Sequence, residues 1–311
     1  MTDRLLELCF GVGIALLACG SAWAGAWTPE AHTGSATVNY QYSHVHFHLT
    51  PTGDKVNAGM IDTQSVYLQL NYGITDRIAV YVGLPWVNKR YIGSGPHRIA
   101  DADGHIHVTE EDDGSYHGAL QDVTLGLQYG FEWGSWSFAP FAAYGTATHD
   151  YEYFAHAAIG PRQDKFEVGV EAGRLLAPPL DRMYVQFGYG YSFLEEFADV
   201  DISRSTLTLE TGYAATDRLI LRVFAIGVKT HNGLEFPDDY AYLRGGRTAY
   251  DRELFHRHDT TQRIDFIEAG CGASYSLSER TSLFANVYRT FWGEGSHETQ
   301  IALGFGINRQ F

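Results

Sequence analysis

The chain has 311 residues, with 22 Lys and Arg against 37 Asp and Glu, for a formal charge of −15 at pH 7. An acidic excess of this size repels polyanions and excludes nucleic acid as a partner class. Aromatics at 14% together with 34 glycines favour strands and turns over helices, and a mean hydropathy of −0.20 still permits a membrane protein whose strands are apolar on one face only.

In chain order, residues 1–24 read as an export signal. The apolar run from Phe10 to Ala18 is too short to span a bilayer and ends near Ala22-Trp23-Ala24, a small-residue cleavage pattern. Leu16-Leu17-Ala18-Cys19 loosely resembles a lipoprotein box, so lipidation stands as the alternative. Cys9 and Cys19 leave with the signal, which leaves Cys271 alone and the fold without an internal disulfide.

Residues 25–311 then alternate with a period of two in twelve stretches, each long enough for the roughly 9 to 11 residues of a tilted membrane strand. Val66, Leu68, Leu70 and Tyr72 alternate with Ser65, Tyr67, Gln69 and Asn71. Val123 to Phe131 and Phe166 to Gly173 repeat the pattern, and it recurs at 35–49, 77–90, 136–149, 182–194, 203–214, 218–230, 261–276, 280–292 and 297–311. Five connections are tight, at 74–76, 132–135, 177–181, 215–217 and 277–279. Four of these end in an acid followed by Arg (Asp76-Arg77, Asp181-Arg182, Asp217-Arg218, Glu279-Arg280), and the carboxylate is expected to bond turn amides. The other six, 50–61, 91–119, 150–163, 195–202, 231–260 and 293–296, alternate with them along the chain. An even strand count puts both termini on the tight-turn side. Trp86, Trp292, Trp133 and Trp136 fall at strand ends, as interfacial girdles do, and Ile301, Leu303, Phe305 and Ile307 alternate up to a terminal Phe311. The expected fold is an all-β, transmembrane, antiparallel up-and-down β-barrel of about twelve strands in a bacterial outer membrane. Its expected partners are the lipid bilayer and lipopolysaccharide, the barrel-assembly machinery and a small-molecule permeant. A soluble β-sandwich is the competing reading.

The segment Tyr72-Gly73-Ile74-Thr75-Asp76-Arg77, followed by Ile78, Val80, Val82, Leu84, Pro85 and Trp86, resembles the hallmark of the family named for the MetA pathway of phenol degradation. Gln121-Asp122-Val123-Thr124-Leu125-Gly126-Leu127-Gln128-Tyr129 is similar to that family's strand after its long loop. The resemblance implies an outer-membrane transporter for small compounds, aromatic or hydrophobic ones among them. It carries over no binding residues. Pro85 is expected near a strand end, where it deprives no ladder of a donor.

Facing the apolar set to lipid leaves Asn71, Gln128, Glu167, Glu171, Glu210 and Arg222 in a polar, mostly acidic lumen. Glu210 is expected directly across from Arg222, as a selective constriction or as a structural plug. Thirteen of fourteen histidines fall on the loop side. His44, His46 and His48 alternate on one strand face, while His105 and His107 precede the acidic run Glu110 to Asp113. Imidazole with carboxylate suits zinc, copper or nickel, so weak divalent binding is the one cofactor expectation, with the 91–119 loop as the best donor to any tight site. Ser43 with His44 and Thr148 with His149 are sequence neighbours that alternation sends to opposite faces. With no triad or paired-acid motif in view, an enzyme is not expected. Transport of small neutral or cationic solutes is the leading function; a metal-binding or structural barrel is the alternative.

Overall fold

A computed structural model describes residues 25–100, 103–197, 199–234 and 257–311. The expected signal and His256 lie outside the described residues. Twelve strands form the wall: β1 (Gly34–Leu49), β2 (Met60–Gly73), β3 (Ile78–Ile92), β4 in three runs (His117–Leu120, Asp122–Tyr129, Phe131–Trp133), β5 (Trp136–Ala147), β6 (Lys165–Leu175), β7 (Met183–Leu194), β8 (Ser203–Ala214), β9 (Leu219–His231), β10 (Asp265–Ser278), β11 (Thr281–Glu294) and β12 (His297–Gln310). Each pairs antiparallel with its neighbour in sequence, and β12 closes on β1 from Ser35 opposite Gln310 to His48 opposite His297. Gly34 and Phe311 complete that seam by exchanging both backbone hydrogen bonds at 2.9 Å.

The pleat sorts residues opposite to the way a water-soluble sheet would. Val38, Leu68, Leu70, Leu125, Leu127, Leu207 and Leu209 are exposed on the outside, whereas Thr37, Asn39, Gln69, Gln128 and Glu171 are almost completely buried within. Burying one large aliphatic side chain is worth about 1.5–3 kcal/mol, so an outer face of this kind is solvated by lipid. That disposes of the soluble sandwich. Trp86 lies eight residues beyond the start of β3 and points outward. At a rise of ~3.4 Å and a tilt of ~40° it sits about 20 Å above the tight-turn end, near the upper edge of a ~25 Å apolar band. Residues beyond that level meet water, so the outward Asp62 and Arg90 are polar without cost to membrane insertion.

Two prolines shape the wall. Pro85 is in the middle of β3, not at its end, and has no N–H to give β4. The ladder to β4 breaks there: Gly83 pairs with Thr124 and Trp86 with Leu120, and between them Gln121 N–H reaches the Pro85 carbonyl at 2.9 Å. Pro140 does the same from β5. Phe141 pairs with Gln128 and Phe138 with Phe131, so β4 is interrupted again at Gly130.

The turns are closed by threonine and serine rather than by the acids expected from sequence. Thr75 Oγ1 accepts the N–H groups of Arg77 and Ile78, and Thr216 Oγ1 those of Arg218 and Leu219, at 2.9–3.2 Å. Asp76 is thereby free to accept Ala31 N–H at 3.0 Å, and Asp217 lies 3.7 Å from Arg182. β10 starts four residues later than its alternation suggests, because His258–Thr261 forms one helical turn whose Thr260 and Thr261 hydroxyls donate to the Arg257 carbonyl.

Both ends of the barrel are filled by chain. From the tight-turn end residues 25–33 enter the lumen: Gln128 Nε2 donates to the Gly25 carbonyl at 2.7 Å, Ala26 is fully buried, and Trp27 meets Tyr184 edge-on at 6.1 Å. From the other end the β5–β6 loop folds inward. Ala157 packs with Ile61 and Tyr91, and Tyr151 and Ile159 pack on Val87. Arg257 pins this loop by lying between the rings of Tyr153 and Phe197, at 3.5 and 3.9 Å, while donating to the Pro161 carbonyl.

Candidate functional site

Between these two plugs the wall presents polar side chains, and all six residues expected in the lumen point into it and are buried. Asn71 accepts from Gln69 at 3.2 Å and donates to Ser35 at 3.4 Å, forming a short amide chain across β1 and β2. Glu167 lies 3.1 Å from Lys165, two residues before it on the same face, so its neutralising partner is a lysine of its own strand. Glu171 accepts from Gln186 at 3.3 Å and lies opposite Gly188, where an added Cβ would stand 2.2 Å from the carboxylate. A side chain at 188 would therefore have to displace the Glu171 carboxylate from its present position. One carboxylate oxygen of each acid, Glu167 Oε1 and Glu171 Oε1, makes no hydrogen bond among the described residues.

Glu210 and Arg222 do meet, but not directly across the hairpin. Gly212 is opposite Arg222 and Phe224 opposite Glu210, so the two are diagonal neighbours with Arg222 Nη1 3.6 Å from Glu210 Oε2. The reason is the turn: with Thr216 holding it, five residues, 215–219, lie beyond the Ala214–Ile220 pair in place of the expected three, and the register moves by two without reversing the face. Tyr184 fills the gap over Gly212 and donates to Glu210 Oε1 at 2.5 Å, while Arg222 Nη2 donates to Asn286 Oδ1 at 2.5 Å. Sequence alternation identified the acids and Arg222 but not the aromatic wall beside them. Tyr67, Tyr81, Tyr184, Phe224 and Tyr288 are all buried inside. An unusual phase was the available signal, since these aromatics occupy the polar half of the dyad.

The histidines divide differently from the sequence expectation. Two irregularities in the β1–β12 pairing, after His44 and at His46, break the single face that would carry His44, His46 and His48. His44 Nδ1 lies 2.7 Å from Asp62, which also accepts from Tyr42 and from Arg90. His46 stacks on Phe47 at 4.4 Å. His48 turns to the mouth, with its ring 4.2 Å from His297 and 5.4 Å from His156. His105 and His107 are exposed on a small ribbon, Arg98–Ala100 with Ile106–Val108. The 91–119 loop does reach a cluster, but through His97 and Asp112, which join His156 of the β5–β6 loop. Ligand atoms of these three lie within 4.8 Å of one another. Burial pushes the His156 imidazole down to about 4, with the neighbouring His97 adding to the effect. Burial acts to raise the Asp112 carboxyl, but hydrogen bonds from His97 and from the His97 and Ala157 backbone outweigh it and hold the group below its ordinary value.

Neither Thr148 nor His149 belongs to a strand, and Thr148 Oγ1 hydrogen-bonds His149 Nδ1 at 2.9 Å instead of pointing to the other face. A second hydroxyl–imidazole pair, Ser205 Oγ with His231 Nε2 at 2.9 Å, sits on the outer wall. Its residues are too far apart in sequence to be noticed there. Among the described residues no carboxylate is hydrogen-bonded to that imidazole.

No known protein family and no curated protein matches this sequence. Solved structures do match in fold. The crystal structure of an outer membrane channel from Pseudomonas putida F1 superposes with a TM-score of 0.68 at 12% identity, covering 94% of this chain and 100% of that one. The NanC porin gives 0.51 at 7% identity, covering 88% and 98%. At such identities the likeness is one of fold. With the lipid-facing apolar wall, it makes the chain a bacterial outer-membrane β-barrel.

Proposed function

We propose that this barrel is a channel for small neutral or cationic solutes, aromatic ones included. The observation that carries the reading is the lumen: a closed wall whose interior sets the Glu171 carboxylate, with an oxygen unused in protein hydrogen bonds, and the Lys165-paired Glu167 beside the inward tyrosines 67, 81 and 184. Carboxylates in a low-dielectric bore attract cations and reject anions. Tyrosine faces and hydroxyls together suit a ring bearing a polar group. The motif from Tyr72 to Trp86 resembles that of the phenol-degradation transporters, although no family model matches the chain, and points to the same class of permeant. Of the two segments that enter the lumen, residues 25–33 are the smaller.

Planar-bilayer conductance and liposome swelling test this on the intact barrel and on a variant lacking residues 25–30. The truncated barrel is expected to conduct more, to prefer cations over anions, and to lose much of that preference in the E167Q/E171Q background. If both folded barrels fail with cationic, aromatic and sugar probes alike, the protein is a structural or binding barrel.

A further inference from the structure

The mouth of the barrel holds a group of side chains that the transport reading does not use. His97 belongs to the segment after β3, Asp112 ends the single 3-10 turn Glu110–Asp112 in the same loop, and His156 belongs to the loop after β5. Their ligand atoms converge within 4.8 Å. The Asp112 side chain is wholly buried and that of His97 nearly so. Tyr91 stacks on His156 at 4.4 Å, Phe154 meets His97 edge-on at 4.5 Å, and the His97 and His156 rings are 4.2 Å apart. A buried carboxylate beside two imidazoles inside an aromatic collar is chemistry that a divalent transition ion satisfies and that ordinary polar loops lack.

We propose that His97, Asp112 and His156 form a binding site for a divalent transition metal of the zinc class at the barrel mouth. A tetrahedral ion with bonds of about 2.0–2.1 Å keeps its ligand atoms roughly 3.3 Å apart. His97 Nδ1 and Asp112 Oδ2 already stand 3.2 Å apart, so closure needs only a shift of the His156 ring by on the order of 1.5 Å. The support around the ligands is in place. Asp112 accepts the backbone N–H groups of His97 at 2.8 Å, His156 at 3.2 Å and Ala157 at 3.0 Å, which fixes both loops to one carboxylate. His156 Nε2 lies 3.2 Å from the Gly95 carbonyl, which selects Nδ1 as its metal-facing nitrogen. This site differs from the sequence expectation, because neither His105 nor His107 takes part, and it stands independently of whether the barrel conducts.

The test is calorimetric titration of zinc into the refolded full-length barrel, with folding verified for every variant by heat-modifiable gel mobility. One equivalent is expected to bind, with affinity reduced at least tenfold in H156Q and unchanged in H105Q/H107Q. Copper(II) at half an equivalent, followed by electron paramagnetic resonance on the unmodified protein, is expected to show two nitrogen ligands. That measurement decides the matter even where H156Q does not fold. Absence of stoichiometric zinc binding, an H156Q barrel that binds as well as the parent, or a copper signal with fewer than two nitrogens would overturn the proposal.

Discussion

Replacing Arg222 by Met strands Glu210 inside the wall. Both side chains are at most 3% exposed, their charged atoms are 3.6 Å apart, and Glu210 keeps only the Tyr184 hydroxyl. At an effective dielectric of about 20 the lost attraction is roughly 4–5 kcal/mol, in line with the roughly 3–5 kcal/mol observed when one member of a buried pair is removed. E210Q is expected to cost somewhat less, since Arg222 keeps Asn286. In the double variant E210Q/R222M neither charge remains to be stranded, so the combined loss is expected to be only about 1–2 kcal/mol and the coupling energy about 3 kcal/mol or more. The assay is equilibrium unfolding by urea of the four proteins in lipid vesicles, read by tryptophan fluorescence. Additive single costs, with coupling under about 0.5 kcal/mol, would show that the two groups do not sense each other and that the diagonal register is wrong.

The Thr216 hydroxyl accepts two turn amides, so T216A is expected to destabilise the barrel by about 0.5–1.5 kcal/mol, whereas D217A at the same turn costs less than about 0.5 kcal/mol; the reverse order in the same urea assay would restore the acid as the turn-former. Cys271 faces lipid at mid-strand, so a charged maleimide should label it in the urea-unfolded chain and leave it untouched in vesicles, and rapid labelling in vesicles would place it in water. P140V returns an N–H donor to the β5–β4 ladder and is expected to slow amide exchange at residues 129–131; unchanged exchange there would mean that Gly130, not the proline, causes the interruption.

Much of this architecture was readable from alternation because a membrane wall is governed by one local rule, apolar outward and polar inward, that each strand obeys separately. The Tyr72 to Trp86 hairpin and the lumen positions of Glu167 and Glu171 follow from that rule alone. What escaped it depends on partners distant in sequence. The Glu210–Arg222 offset arises from a hydroxyl closing a turn, a choice between Thr216 and Asp217 that composition leaves open. His44 and His48 separate because of irregularities induced by the β12 strand, some 250 residues away. His97, Asp112 and His156 are brought together by two loops folding over the mouth, and no spacing rule within either loop foretells it. Even the inward tyrosines were visible only as exceptions to the pattern, legible once the glycines opposite them, such as Gly126 against Tyr81 and Gly212 against Tyr184, reveal the room they occupy.

The two prolines that flank β4 make the wall mechanically uneven. Eleven staves are held by continuous ladders on at least one side and mostly on both, while β4 is laddered to β3 and β5 in separated stretches, with breaks near residues 121 and 130. That stave is therefore the compliant one, the place where the barrel's circumference yields first under lateral pressure from the bilayer. The loops on either side of it, after β3 and after β5, are the two that the Asp112 carboxylate joins through His97, His156 and Ala157. A contact at the mouth thus spans the weakest join of the wall below, and the rigidity of the rim and the pliancy of the stave belong to a single elastic system.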